Sequence, residues 1–278
     1  MPSFSTLSEL FHFGSSELKK NKISNYHKEA EWLLLDIINK NSSWLSINKQ
    51  QQPTNQQIES YTESIYKRSD HIPLQLIMGK ASFYGRDFIL YPDVFIPRAD
   101  SEVIIDIIKK KTFQSAIDIA CGTGCIGITV SLECPDASID LLDVSEIAIS
   151  NTNRNIQYLK PTSIGSVFNE DIIKNHPHSS YDIIISNPPY ISLKDVVELE
   201  HSVKYYDPLD ALSDLKDGIY FYQRIYDLSD SMLNDGGIII LEFGTYQQAK
   251  EIINIFKGFR YKIYNDMAHN PRVIEFQK

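Results

Sequence analysis

SAIDIACGTGCIG, residues 115–127, decides the fold of this chain. An apolar run breaks into glycines at Gly122, Gly124 and Gly127, and the apolar pattern then resumes. That order spells a strand, a tight turn and a helix entry, the first βα unit of an open parallel sheet. Outward from it, strand-like and helix-like stretches alternate. SIDLLD, IGSVF, YDIIIS and GIIILEF read as further strands, with helices over SEIAISNTNRN, after Asp217 and over 246–257. The alternation predicts an α/β doubly wound sheet. GFRYKIYND and PRVIEFQ add two closing strands, including an antiparallel edge pair.

Residues 1–72 contain helical patterns and no convincing strand. SNYHKEAEWLLLDIIN sets Ala30, Trp32, Leu33, Leu34, Ile37 and Ile38 at helical spacing, and PTNQQIESYTESIYKR enters a second helix through Pro and Thr. This predicts a small helical domain. In 73–97, Gly and Pro punctuate the short runs ASFYG and RDFILYP, a β-hairpin linker whose tip the sequence does not place. Residues 98–278 form the α/β domain.

Composition narrows the functional classes. At 278 residues and 42% hydrophobic the chain can bury a core without disulfide staples, and its three cysteines sit close together at Cys121, Cys125 and Cys134, as reduced thiols do. MPSFSTLSELFHFGSSELKK lacks the apolar core of a signal peptide, and no apolar run reaches the roughly 18 residues of a membrane span, so a cytoplasmic protein is expected. A net charge of −9 disfavours a phosphate-binding surface and suits a basic protein partner. No direct nucleic-acid partner is expected.

Three segments carry chemistry. The glycine loop lets backbone approach a ligand closely, but it suits a dinucleotide as well as S-adenosylmethionine. Asp118, ending the first strand, would face a ligand ammonium in the second case. Asp143 closes SIDLLD about twenty residues after the glycines, where a carboxylate can accept both ribose hydroxyls of an adenosine ligand. The third segment, Asn187-Pro188-Pro189-Tyr190, follows the strand YDIIIS and separates the two cases. Hydride transfer has no use for it. A planar amide or aromatic amine, whose lone pair is delocalised, needs its NH₂ held by fixed acceptors: the Asn187 side-chain oxygen and the Pro188 carbonyl. The prolines stiffen those acceptors, and Tyr190 can stack on the planar group with a cation–π contribution from a sulfonium. His176 and His178 have chelating spacing without companion ligands and read as a polar loop, so no metal is expected; Glu242 and Asp266, at predicted strand ends, are further candidates for the cleft.

With PLQLIMGKASFYGRDFILYPDVFIPRADSE, DIACGTGCIG, LLDVS, SNPPYI, DPLDAL, DGIYFYQRI, IILEFG and DMAHNPRV in order along the chain, the sequence resembles the HemK/PrmC-type glutamine methyltransferases that modify peptide chain release factors. NPPY alone also occurs in adenine-N6 DNA methyltransferases; the IPRADSE segment with PLQLIMG is more selective. The resemblance implies a class I (Rossmann-like) methyltransferase domain with a mixed seven-stranded sheet, preceded by a helical substrate-binding domain and the hairpin. It implies S-adenosylmethionine contacts from Ala120, Cys121, Gly122, Thr123, Gly124, Asp143, Ile172 and Asn187. The glutamine of a Gly-Gly-Gln motif would sit at Asn187 to Tyr190, Pro97 and Arg98 would shape the pocket wall, and Glu102 would stay near it.

Departures from the family pattern fall on the cofactor side. Ala120 and Cys121 replace a common Gly and Thr, Ile172 replaces an aromatic that would stack on adenine, and ADSE replaces PETE. The resulting expectation is a monomeric enzyme that methylates the glutamine side-chain nitrogen of a release factor. Its rivals are a ribosomal-protein glutamine methyltransferase, an adenine-N6 nucleic-acid methyltransferase, a nicotinamide oxidoreductase and a non-catalytic adenosine-binding module.

Overall fold

A computed structural model describes residues 3–278. The chain divides into two units between Gly79 and Lys80.

The first unit is helical: α1 (Leu7–Lys20), α2 (Tyr26–Ile38), α3 (Ser42–Asn48), α4 (Asn55–Ser69) and α5 (Leu74–Met78). Local chemistry sets its boundaries. The Thr6 hydroxyl accepts from the Glu9 N–H at the start of α1, and Thr54 with Gln57 forms a capping box on α4. Leu10, Leu18, Leu33, Leu34, Tyr61 and Ile65 fill the core, where the Tyr61 hydroxyl donates to the Ala30 carbonyl at 3.1 Å. Trp32, although helically spaced with the core residues, is 46% exposed. The helix α5 was not foreseen; Pro73 starts it and Gly79, in the left-handed region, stops it.

The second unit begins with a two-stranded hairpin, β1 (Lys80–Phe83) and β2 (Arg86–Ile89). Its tip is Tyr84-Gly85, both at positive φ, the two-residue turn whose twist matches paired strands. Then follow α6 (Glu102–Ile108), β3 (Ser115–Ile119), α7 (Cys125–Glu133), β4 (Ser138–Asp143), α8 (Glu146–Leu159), β5 (Ile164–Asn169) and β6 (Tyr181–Ser186). Two short helices, α9 (His201–Tyr206) and α10 (Leu209–Leu212), precede α11 (Tyr220–Met232), β7 (Leu233–Glu242), α12 (Tyr246–Ile255), β8 (Arg260–Asn265) and β9 (Pro271–Gln277).

The seven-stranded sheet has the order β5-β4-β3-β6-β7-β9-β8. Strands β3 to β7 pair in parallel, and β9 is antiparallel to both β7 and β8. One face buries Ile105, Ile128, Leu141 and Ile185; the other buries Ile117, Ile184, Tyr222 and Phe276. With both faces covered, the central strands are nearly continuously apolar, and the polar residues at their carboxyl ends stand out. The order reverses at β3: one crossover leads to β4, and the next strand on the other side is β6. Ligands gather at the carboxyl ends beside such a switch point.

Candidate active site

Beyond β3 the chain turns through Ala120, Gly122 and Gly124, all at positive φ. The Asp118 carboxylate, 1% exposed, holds the start of α7 by accepting from the Gly127 N–H at 2.8 Å. From the side, α8 clamps the same loop. The Thr152 hydroxyl donates to the Gly122 carbonyl at 2.9 Å, and the Asn155 amide donates to the Thr123 carbonyl at 3.0 Å. Asn151 and Asn155 also bind the backbone at Ile89, and the Asn151 oxygen accepts from the Tyr91 N–H, joining the hairpin to the loop. Asn151, Thr152 and Asn155 are fully buried. Sequence reading passed over these three, although polar residues on the inward face of an amphipathic helix were a usable signal.

Asp143, at the end of β4, accepts from the Gly122 N–H at 2.8 Å through one oxygen and from the Ser145 N–H at 2.9 Å through the other. Burial pushes its carboxyl up; the two N–H groups oppose this, and Asp210 adds repulsion. Each oxygen keeps a lone pair for another donor. Burial pushes Asp118 up to about 7, against the Gly127 N–H, with the Asp143 charge adding to the rise. Its Oδ1 is buried without a hydrogen-bond partner.

A cleft of about 980 Å³, open to solvent, lies over these strand ends. Of the predicted cofactor residues, Ala120, Cys121, Gly122, Thr123, Asp143, Ile172 and Asn187 line it, with Pro97 and Arg98. Asp118 and Gly124 do not: Asp118 lies beneath the loop, and a Cβ on Gly124 would meet Ile128 and Thr152. A Cβ on Gly122 would meet nothing within 4 Å. That open backbone, together with the unsaturated Asp143 carboxylate, fits an adenosine ligand carrying ribose hydroxyls. Ile172 presents an alkyl wall, and the aromatic lining comes from Phe95 and Phe221. Burial pushes the Cys125 thiol up to about 12 and Cys121 well up, so both are neutral packing groups.

The loop after β6 is held on all sides. The Ser186 hydroxyl donates to the Ile119 carbonyl at 2.7 Å, and the Ile191 N–H to the Leu212 carbonyl at 2.9 Å. The Gln248 amide donates to the Tyr190 carbonyl at 2.9 Å and the Gly218 carbonyl at 2.8 Å, while its oxygen accepts from the Gly244 N–H at 2.9 Å. Asn187 and Pro189 line the cleft; Pro188 is buried, and the Tyr190 ring packs where a Cβ on Gly244 would approach it to 3.0 Å. Asn187 Nδ2 donates to the Ser101 hydroxyl at 3.2 Å, and Ser101 donates to the Glu242 carboxylate at 2.5 Å. Arg98 is paired with the buried Asp207, which also accepts from the Ile96 N–H.

The remaining candidates lie off the cleft. Glu102 accepts from the Tyr84 N–H at 2.8 Å and steadies the hairpin turn. Asp266 accepts from the Ala268 and Asn270 N–H groups and from Arg272, which hold its carboxyl below the usual range. His176 and His178 meet edge-on at 5.8 Å. Among the described residues no helix is long and apolar enough to cross a membrane.

The strand order, the glycine loop and the carboxylate at the end of β4 define a class I S-adenosylmethionine-dependent methyltransferase, and the comparisons with known proteins agree. The family model described as the methyltransferase small domain matches residues 96–202, and that described as the PrmC N-terminal domain matches residues 9–79. A crystal structure of a methyltransferase from Pyrococcus furiosus superposes with a TM-score of 0.54 at 18% identity, over 70% of this chain and 90% of that one, a likeness of fold. A release factor glutamine methyltransferase of Clostridium botulinum is 32% identical over 98% of this chain and 99% of its own length. One from Fusobacterium nucleatum is 31% identical over 97% and 78%. The chain belongs to the release factor glutamine methyltransferase family.

Proposed function

We propose that this enzyme transfers the methyl group of S-adenosylmethionine to the side-chain nitrogen of the glutamine in the Gly-Gly-Gln motif of a peptide chain release factor. The observation that carries the reading is the meeting of Asn187, Asp143 and the glycine loop around one cleft. The helical unit, which with α5 runs on to Gly79 rather than ending at residue 72, serves to hold the substrate, the hairpin and the segment up to Pro97 serve as its linker, and residues 98–278 serve as the catalytic domain. The enzyme works as a cytoplasmic monomer and needs no direct contact with nucleic acid, in keeping with its charge of −9.

S-adenosylmethionine, when bound, supplies a methyl on a cationic sulfur that keeps the bonding electron pair as it leaves. Asp143 would take the ribose hydroxyls, and the loop from Ala120 to Gly124 with Ile172 would enclose the rest. The Asn187 side-chain oxygen and the Pro188 carbonyl accept the two N–H bonds of the glutamine amide, aligning the nitrogen lone pair with the methyl; Tyr190 stacks on the amide plane. The nitrogen's proton leaves to water after attack, so no side-chain base is required. The test is transfer of labelled methyl to a purified release factor and to the same factor with its Gly-Gly-Gln glutamine changed to alanine. Label on the native factor alone is expected; equal label on both would overturn the assignment of the residue, and label on neither would overturn the substrate.

A further inference from the structure

The side chains behind Asn187 form a directed chain. Ser101, on the single turn at 99–101, and Glu242, ending β7, are each 2% exposed, far apart in sequence but joined by the 2.5 Å hydrogen bond. A serine hydroxyl has one hydrogen to give and lone pairs to receive. A carboxylate only receives. With Glu242 ionised, the Ser101 hydrogen is committed to it, so Ser101 faces Asn187 as an acceptor and draws the Asn187 NH₂ to itself at 3.2 Å. The Asn187 oxygen is then turned away from Ser101. This orientation matters because the two ends of an asparagine amide are alike in shape but opposite in hydrogen bonding, the oxygen accepting and the NH₂ donating.

We propose that Ser101 and Glu242 are positioning residues for methyl transfer: the carboxylate fixes the hydroxyl, and the hydroxyl fixes the Asn187 amide with its oxygen toward the acceptor. The inference rests on the reading of Asn187 as a hydrogen-bond acceptor for the glutamine NH₂. In the reverse state, a protonated Glu242 donates to Ser101. The Ser101 hydrogen is then free to turn to Asn187, whose oxygen is drawn inward while its NH₂ confronts the substrate's NH₂, donor against donor.

The groups around Glu242 set where this reversal falls. Ser101 and Asp100 face it from the single turn, Tyr190 from the loop after β6, Arg272 from β9 and Cys125 from α7, while the Tyr222 hydroxyl from α11 donates to its backbone carbonyl. Burial pushes the carboxyl up to about 7; the Ser101 and Tyr190 hydroxyls and the Arg272 charge resist, and Asp100 adds to the rise. The ionised, correctly oriented state therefore fills as pH rises through about 7.

Two readouts test the arrangement on the full-length enzyme. One is methyl transfer to the release factor against pH for the wild type, Ser101→Ala, Ser101→Thr and Glu242→Gln, with S-adenosylmethionine affinity measured by calorimetry. The other is the side-chain amide resonance of Asn187 in labelled protein without substrate. Expected are a wild-type kcat that rises through about 7 and a Ser101→Thr enzyme that keeps this rise. Ser101→Ala and Glu242→Gln should lose roughly tenfold to a hundredfold in kcat, lose the pH step and retain cofactor affinity. The Asn187 resonance should titrate with Glu242 in the wild type and not in Ser101→Ala. A static resonance overturns the proposal, as does a Ser101→Ala enzyme with wild-type kcat, or a Ser101→Thr loss as large as that of alanine. Absence of transfer by the wild type would sink the substrate assignment instead, and the Asn187 titration would still decide the orientation.

Discussion

The Gly127 α-carbon is packed so tightly over β4 that a Cβ on it would stand 2.2 Å from the Leu141 Cδ2 and 3.1 Å from the Asp118 Cβ. The third glycine of the loop thus sets how closely α7 approaches the sheet, and with it where the α7 N-terminus meets the cleft. Gly127→Ala is expected to destabilise the protein by about 1–3 kcal/mol, the usual cost of overpacking. Urea denaturation measures this, and an unchanged midpoint would mean that the sheet yields at Leu141.

Ala120 makes the opposite prediction. It holds φ of 60°, a conformation that costs a residue with a Cβ about 1–2 kcal/mol. Part of that is offset because glycine loses more freedom on folding. Ala120→Gly should therefore raise stability by about 0.5–1 kcal/mol in the same denaturation experiment. A fall in stability would show that the alanine methyl packs well enough to outweigh its strain.

Gln248 ties three segments together, so its loss should be felt in the loop after β6 more than in the cofactor cleft. Gln248→Leu removes the hydrogen bonds to Tyr190, Gly218 and Gly244. An expected loss of about 1–3 kcal/mol in stability follows from leaving these partly buried backbone groups unpaired. Transfer to the release factor should slow by about tenfold through displacement of the amide site. Calorimetry should find S-adenosylmethionine affinity little changed; a large fall in affinity would place the loop's influence on the cofactor side.

Much of this architecture is legible in the sequence, for a physical reason. Parallel strands covered on both faces must be apolar, so Asp118, Asp143, Asn187 and Glu242 declare themselves by interrupting or ending such runs. The two closing strands, too, follow from their own residues. What stayed hidden depends on register between distant segments. Nothing local tells that Gln248 on α12 reaches Tyr190, that Asn151 and Asn155 on α8 reach the hairpin, or that Ser101 lies between Asn187 and Glu242. Depth is equally nonlocal: Asp118 falls one residue short of the end of its strand and lies beneath the loop, and Trp32 shares a helix with core residues yet faces outward.

Asp118 also gives stability a pH dependence. Burial pushes its carboxyl up to about 7, above the ordinary carboxylate range, so the folded protein holds a proton that the unfolded chain releases. Its contribution is fully present below the unfolded pKa and is lost as pH rises toward the folded one, between roughly 4 and 7. Asp118→Asn cannot titrate, so the decline in stability across that window should flatten. Urea midpoints at a series of pH values measure the slope, and equal slopes for the two proteins would show that other groups dominate it.

Asn187 is the residue on which binding and chemistry should separate. It lines the cleft, but the proposed cradle for the adenosine is made by Asp143 and the loop from Ala120 to Gly124, held by α8 and by Asp118 rather than by Asn187. Truncation to alanine removes the acceptor for the glutamine NH₂ and leaves that cradle in place. Asn187→Ala is therefore expected to reduce transfer by at least about a hundredfold, the scale of losing a preorganised polar contact to the reacting group. Calorimetry should show S-adenosylmethionine binding nearly as in the wild type. Equal losses of affinity and rate would mean that Asn187 chiefly binds the cofactor, and that the glutamine is held by backbone carbonyls of the rigid Pro188-Pro189 segment alone.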